Sequence, residues 1–291
     1  MTASPSPATT AERAAQEAAE TVLYAVLDDL RNTLGMAWVD PAFRAMATDP
    51  IFLTAAWAAT RPNITKSFIA SAARLRRAAA EALQGSLSPP DHRGELEADF
   101  SMEDIDRLTR TVRALYHGAP KVYLVIQAWA RLARRQRIPG TGREEVPARR
   151  GVPAWQEGVI VSGIASEESE SILSEATHHL GLVSVPPALV ALSPATRYLE
   201  RACREVAPHA HTDEWRSGIV ALRREATEGL KAFPHPMDLQ WDALATRGLT
   251  EHRREDLASR LTELAAAMPA NVLITAYLAA ALGGPEAATD A

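Results

Sequence analysis

The chain has 291 residues, 47% of them hydrophobic and 23% charged, enough apolar material for one large core or two packed halves and too much for a disordered chain. Its 31 basic and 36 acidic residues leave a net charge of -5, which supplies no field to gather a nucleic-acid backbone, so no nucleic-acid partner is expected. The single cysteine, Cys203, excludes an internal disulfide, a two-thiol redox centre and a Cys-rich metal site, a pattern that fits a cytoplasmic protein.

In chain order, residues 1–14, opening with the Ser/Thr/Pro-rich "MTASPSPATT", read as a disordered lead without the basic start and apolar run of a signal peptide. No segment reads as a membrane span, and no membrane partner is expected. Residues 15–138 then form a first helical unit: Val22, Tyr24, Ala25, Leu27 and Leu30 recur at helical spacing, as do Ile105, Leu108, Val112 and Leu115. Ser101 followed by Glu103 and Asp104 marks a capped helix start. The Pro/Gly-rich stretch 85–94 reads as a loop, and the basic run "RLARRQR" at 131–137 as a solvated helix end.

Residues 139–156, containing "PGTGREEVPARRGVP", are the natural linker to a second helical unit at 157–282, which a short tail at 283–291 follows. Within that unit "KAFPHPMDLQW" (231–241) reads as a loop between helices, and Thr250 opens another capped helix. Three runs have strand-like composition: 121–126, 157–164 and 271–278. The first and last continue into Ala-rich, helix-forming sequence, so the fold class is all-α.

The two units echo each other. Leu27–Trp57 lies on Leu173–Cys203 at a constant offset of 146, with nine of 31 positions identical, among them Gly35/Gly181 and Pro41/Pro187. Turn-forming Gly and Pro are not explained by the helix-rich composition. A weaker echo joins "GAPKVYLVIQAW" (118–129) to "AMPANVLITAYL" (267–278). Two pseudo-symmetric repeats packed as an intramolecular pseudo-dimer are expected, with a ligand cleft at their seam.

The segments "LRNTLGMAWVDPAFRAMATDPIFLTAAW", "IDRLTRTVRALYHGAPKVYLVIQA" and "HHLGLVSVPPALVALSP" together resemble the group I 2-haloacid dehalogenases, the DehI-type family. The first half is also similar to the wider carboxymuconolactone decarboxylase and alkylhydroperoxidase superfamily, whose peroxidase members need a Cys-x-x-Cys pair that this sequence lacks. The resemblance implies an all-α pseudo-dimer and displacement of halide by a water that an aspartate and an asparagine hold, with neither cofactor nor metal. The family's Gly-Asn-Pro-Lys reads Gly118-Ala119-Pro120-Lys121 here, and its aspartate falls at Val185 or Pro186. Trp38 matches a residue the family places at its pocket.

Asp40 lies opposite Pro186 in the repeat alignment, and Asn271 falls about three residues beyond the lost amide's counterpart. These two are the catalytic candidates of a mirrored site; the plain alternative for Asp40 is a helix N-cap before Pro41. Trp38, Tyr116, His117, Ala119, Lys121, Val185 and Pro186 are the candidate substrate pocket. His178 and His179 are adjacent and diverge on a helix, while His209, His211 and His235 lack a third ligand of clear spacing, so no metal is expected. The expected function is substitution or elimination at an sp3 carbon bearing a leaving group, including ring closure in specialised biosynthesis. Hydrolytic dehalogenation and a non-catalytic binding subunit are the alternatives; polar groups converging in the seam favour an enzyme, an apolar collapsed seam a binding protein. Assembly with a copy of itself or another chain is left open.

Overall fold

A computed structural model describes residues 10–84, 87, 89–159 and 166–283, with side chains from residue 20 onward. Residues 1–9 of the expected lead, 284–291 of the tail, part of the 85–94 loop and most of the strand-like run 157–164 lie outside them. Helices are α1 (Thr10–Leu34), α2 (Pro41–Ala45), α3 (Pro50–Thr60), α4 (Lys66–Ala82), α5 (His92–Leu96), α6 (Met102–Ala133), α7 (Glu167–His179), α8 (Pro187–Ala191), α9 (Thr196–Val206), α10 (Asp213–Lys231), α11 (Trp241–Thr246) and α12 (Glu251–Gly283). Among the described residues there is no strand, only two isolated bridges, Thr65 to Pro147 and Ile138 to Met237. The protein is all-α. The strand-like runs 121–126 and 271–278 lie inside α6 and α12, where both faces of the helix are buried and an unbroken apolar run is therefore a helical signal.

The sequence echo has a local structural counterpart. α2 and α8 start and stop at positions 146 apart, as do α3 and α9. Gly35 and Gly181 end the preceding helices with left-handed φ of 64° and 63°, and in both the next residue closes a wider bond back into the helix, Met36 N to Arg31 O and Leu182 N to Thr177 O. Glycine takes that conformation without the strain a Cβ brings, which explains its presence at both turns.

α6 and α12 form the central packed pair, and each carries a proline, Pro120 and Pro269, within its span. By length and apolarity α12 also satisfies the requirements of a membrane span, contrary to the sequence expectation, but 78% of its apolar window is buried inside the protein. It is the central core helix of this fold. Ser101 caps α6 through Asp104 N at 3.2 Å, as expected, and Thr10–Ala14, expected to be part of the lead, belongs to α1. The linker 139–156 is irregular apart from a 3-10 turn at Ala154–Gln156, and the 231–241 loop runs between α10 and α11.

Candidate functional site

Asp40 sits at the entrance of α2. Its Oδ1 accepts a hydrogen bond from Ala42 N at 2.9 Å, so it caps the helix as its Asp-Pro setting implies. Only 3% of the residue is exposed, and burial pushes its carboxyl up to about 6, against the opposing effects of the Ala42 N–H and the Arg44 charge. Oδ2 makes no hydrogen bond among the described residues. One oxygen is structural and the other is available.

Asn271 does the corresponding job for α8 by another route. Pro186 occupies the N-cap of α8 and has no side-chain acceptor to offer Ala188 N, the counterpart of Ala42 N. Asn271 reaches across from α12, and its Oδ1 accepts that N–H at 2.8 Å. Asp40 and Asn271 thus serve equivalent helix starts, on α2 and α8, which pack against each other. Ala42 and Phe43 on α2 and Ala188 and Leu189 on α8 are buried.

This arrangement predicts a graded response. Asn271→Leu strands a buried N–H and should cost about 1–3 kcal/mol, whereas Asn271→Asp keeps an acceptor and should recover most of the stability lost in the leucine variant. Urea denaturation of the three proteins measures it; equal stability of the wild type and the leucine variant would remove the capping role.

The remaining pocket candidates have the following surroundings. Trp38 is buried near the seam sequence, with no partner for Nε1, and Val185 and Pro186 lead into α8. Tyr116, His117 and Lys121 lie on α6. The Tyr116 and His117 rings meet with centroids 5.8 Å apart, His117 also meets Trp155 at 5.3 Å, and Lys121 Nζ donates to Leu34 O at 2.7 Å. Ala119 is buried and lies about 200° around α6 from His117, which places it on the opposite side of the helix. The sequence proximity of Ala119 to His117 and Lys121 is therefore not a shared face.

Sequence reasoning did not single out Arg76, Arg113, Trp155 or Gln156, which join this cluster. The signal present was the spacing of Arg113, His117 and Lys121 at i, i+4 and i+8, one stripe of a helix. Burial pushes His117 down to about 4, aided by the charges of Arg76, Lys121 and Arg113. Lys121 is pushed down to about 8, again by burial first and by Arg76 second.

The other histidines have structural surroundings. His209 packs on Tyr277, His178 and His179 are neighbours at a helix end, and His235 uses its backbone N–H to bond Asn63 Oδ1 at 2.9 Å. No group of three metal-ligating side chains converges among the described residues. A surface groove of about 820 Å³ between α4 and α10, bordered by Arg74, Glu81, Asp213 and Arg224, contains none of the candidates.

Comparison with known proteins locates this architecture. The family model described as "Halocarboxylic acid dehydrogenase DehI" matches residues 37–146. A configuration-inverting 2-haloacid dehalogenase from Pseudomonas sp. (strain 113) is 28% identical over 234 residues, covering 76% of this chain and 74% of that protein. Among solved structures, a D-2-haloacid dehalogenase mutant in complex with D-2-CPA shares the fold with a TM-score of 0.75 at 19% identity, over 89% of this chain and 91% of the other. A D-2-haloacid dehalogenase with L-LA does so with a TM-score of 0.71 at 20% identity, over 92% of each chain. The family model over residues 37–146, the relative aligned over three quarters of the chain and the shared all-α fold make this protein similar to the group I 2-haloacid dehalogenases of the DehI type.

Proposed function

We propose that this chain is a divergent DehI-family enzyme that catalyses displacement or elimination at an sp3 carbon bearing a leaving group, with Asp40 as base and Asn271 as its polar partner across the seam. The observation that carries the reading is Asp40 itself: a buried carboxylate with one oxygen fixed by Ala42 N and a proton affinity moved to about 6. A general base works best when its pKa lies near the operating pH, and a fixed Oδ1 orients the free oxygen. In the proposed step Oδ2 takes a proton from the nucleophile, the nucleophile's lone pair forms the new bond to carbon, and the leaving group departs from the opposite face with the bonding pair. The configuration inverts. In this reading the seam between two related halves forms the site, and the small-molecule substrate supplies its own nucleophile, as in ring closure.

A second reading uses the same base with water as nucleophile, which is hydrolytic dehalogenation. It is favoured by the relationship to the Pseudomonas dehalogenase across three quarters of the chain. Val185 and Pro186 weigh against the family's usual arrangement because neither side chain can take a proton, so water would be activated from the Asp40 side. Incubating both enantiomers of 2-chloropropionate and a series of 2-halo acids bearing a terminal amine in H218O separates the readings. Ring closure gives halide and a cyclic product without 18O; hydrolysis places 18O on carbon 2. No halide release from any substrate would refute both.

A further inference from the structure

A cavity of about 450 Å³ opens between α7 and α9, with Ile172, Ala176, Cys203 and Pro208 among its apolar walls and the Glu175 carboxylate beside them. The echoed positions on α1 and α3, 146 residues earlier, carry large side chains instead. Trp57, only 3% exposed, buries its indole there and donates from Nε1 to Asp29 Oδ2 at 2.8 Å, and Arg61 Nε pairs with the same oxygen at 2.8 Å. Leu30, on the same helix as Asp29, is fully buried.

Around the cavity, Glu175 stands at the position that echoes Asp29, Ala176 at Leu30, Cys203 at Trp57 and Ala207 at Arg61. Three large side chains are thus small ones here, around a carboxylate that is kept. Such truncations leave space because a packed interface closes in only partly. The helical register is unchanged: α9 and the 3-10 turn after it start 146 residues beyond α3 and its own turn. Glu175 makes no hydrogen bond or ion pair among the described residues, whereas Asp29 is met by both Trp57 and Arg61. At the cavity mouth Glu200 and Arg204 pair with each other at 2.6 Å, which leaves the Glu175 charge unmatched. Burial first, and the Glu175 charge second, push the Cys203 thiol up to about 12, so it lines the cavity as a neutral, polarizable group.

We infer that the α7–α9 cavity binds a small arylalkylammonium ion, its ring where the echoed segment places the Trp57 indole and its ammonium against Glu175, where that segment places Arg61 against Asp29. The volume falls in the range of small-molecule sites, and apolar walls with one placed charge are their usual make-up. An aromatic ring suits these walls on two counts: an apolar void accepts it, and the Cys203 sulfur makes favourable contact with ring edges. The carboxylate sets the sign of the ligand, since an organic acid would bring a like charge to Glu175. Neither Asp40 nor Asn271 borders this cavity, so the inference does not rest on the proposed reaction.

The test is calorimetric titration of the full-length protein at pH 8 with tryptamine, 3-indolepropionate and ethylamine; the amines, like that of lysine, are charged at this pH. Tryptamine should bind saturably and at least tenfold tighter than 3-indolepropionate, which has the ring without the cation, or ethylamine, which has the cation without the ring. Glu175→Gln should weaken tryptamine at least threefold, and Arg224→Gln, an exposed position on α10, should leave it unchanged. Cys203→Trp refills the cavity with the side chain of the echoed position and should weaken tryptamine at least tenfold. Should that variant fold poorly, Ala207→Arg at the half-buried rim supplies the counterpart of Arg61 to Glu175 and should weaken tryptamine at least threefold. Absence of saturable tryptamine binding, 3-indolepropionate binding as tightly as tryptamine, or wild-type affinity in a folded Cys203→Trp or Ala207→Arg protein would overturn the inference. Binding is read without turnover, so failure here leaves the proposed reaction at Asp40 standing, and failure of that reaction leaves this site standing.

Discussion

Asp40→Asn should lower turnover by about 10²–10⁴-fold while leaving the protein folded and at least as stable as the wild type at pH 8. The two effects separate because asparagine caps helices about as well as aspartate, through the same side-chain carbonyl, but accepts no proton. The stability direction follows from the raised carboxyl, moved from 3.8 to about 6 by burial. A folded state that holds the proton more tightly than the unfolded chain gains stability below pH 3.8 and loses it as pH rises through about 6. At pH 8 the ionised wild-type group carries the whole penalty, on the order of 3 kcal/mol, and the amide removes it. Thermal melts and halide-release rates on the same preparations read both quantities. Unchanged rates would leave Asp40 a cap alone; a melting temperature far below wild type would mean the carboxylate's charge holds the site together.

Trp129→Ala should be the most damaging single core truncation near the site, at about 3–5 kcal/mol. The indole is fully buried on α6, its Nε1 donates to Thr60 Oγ1 at 2.8 Å, and its ring meets Phe43 at 5.5 Å and Phe52 at 6.2 Å. Phe43 belongs to α2, the five-residue helix that Asp40 caps, so this aromatic cluster anchors the element carrying the proposed base. A helix so short has little stability of its own and depends on packing. Trp129→Phe should retain more than half of the lost stability, since it keeps ring contacts with Phe43 and Phe52 and loses the hydrogen bond to Thr60. Guanidinium unfolding measures the series; an alanine variant within 1 kcal/mol of wild type would show that the cluster is not a structural anchor.

The helical class and much of the element order were readable because periodicity, caps and turn glycines are local properties. Gly35 and Gly181 reveal the same kind of helix ending at both echoed positions from sequence alone, and Ser101 reveals a helix start. What connects distant segments was not readable. Asn271 was singled out by its place in a weak echo, yet its bond to Ala188 N joins residues 83 apart, and no local pattern announces such a cap. The vacancy it fills was visible in principle, since Pro186 before a helix offers no acceptor. Likewise Lys121 and His117 appeared to belong with Ala119 because they are close in sequence, whereas helical geometry turns Ala119 to the other side. The burial of Arg76 was not readable either: in sequence it is one of several arginines on an amphipathic helix, and only packing shows that it is 9% exposed.

Fold and catalytic groups respond differently to substitution. The fold depends on many apolar contacts distributed along α6 and α12, which survive substitution as long as volume and pattern are kept. The chemistry depends on individual groups, and Ala119, Val185 and Pro186 stand where the resemblance implies an asparagine and an aspartate. The proposed mirrored base at Asp40 accommodates both the shared fold and those replacements.

The role of Asp40 as base is read from the pH dependence of kcat/KM for halide release from the substrate that turns over in the product screen. Asp40 as base predicts a rate that rises with pH through a single inflection near pH 6 and levels above it, with the inflection absent from whatever activity Asp40→Asn retains. A flat profile between pH 5 and 8 in the wild type, or the same inflection persisting in Asp40→Asn, would contradict it.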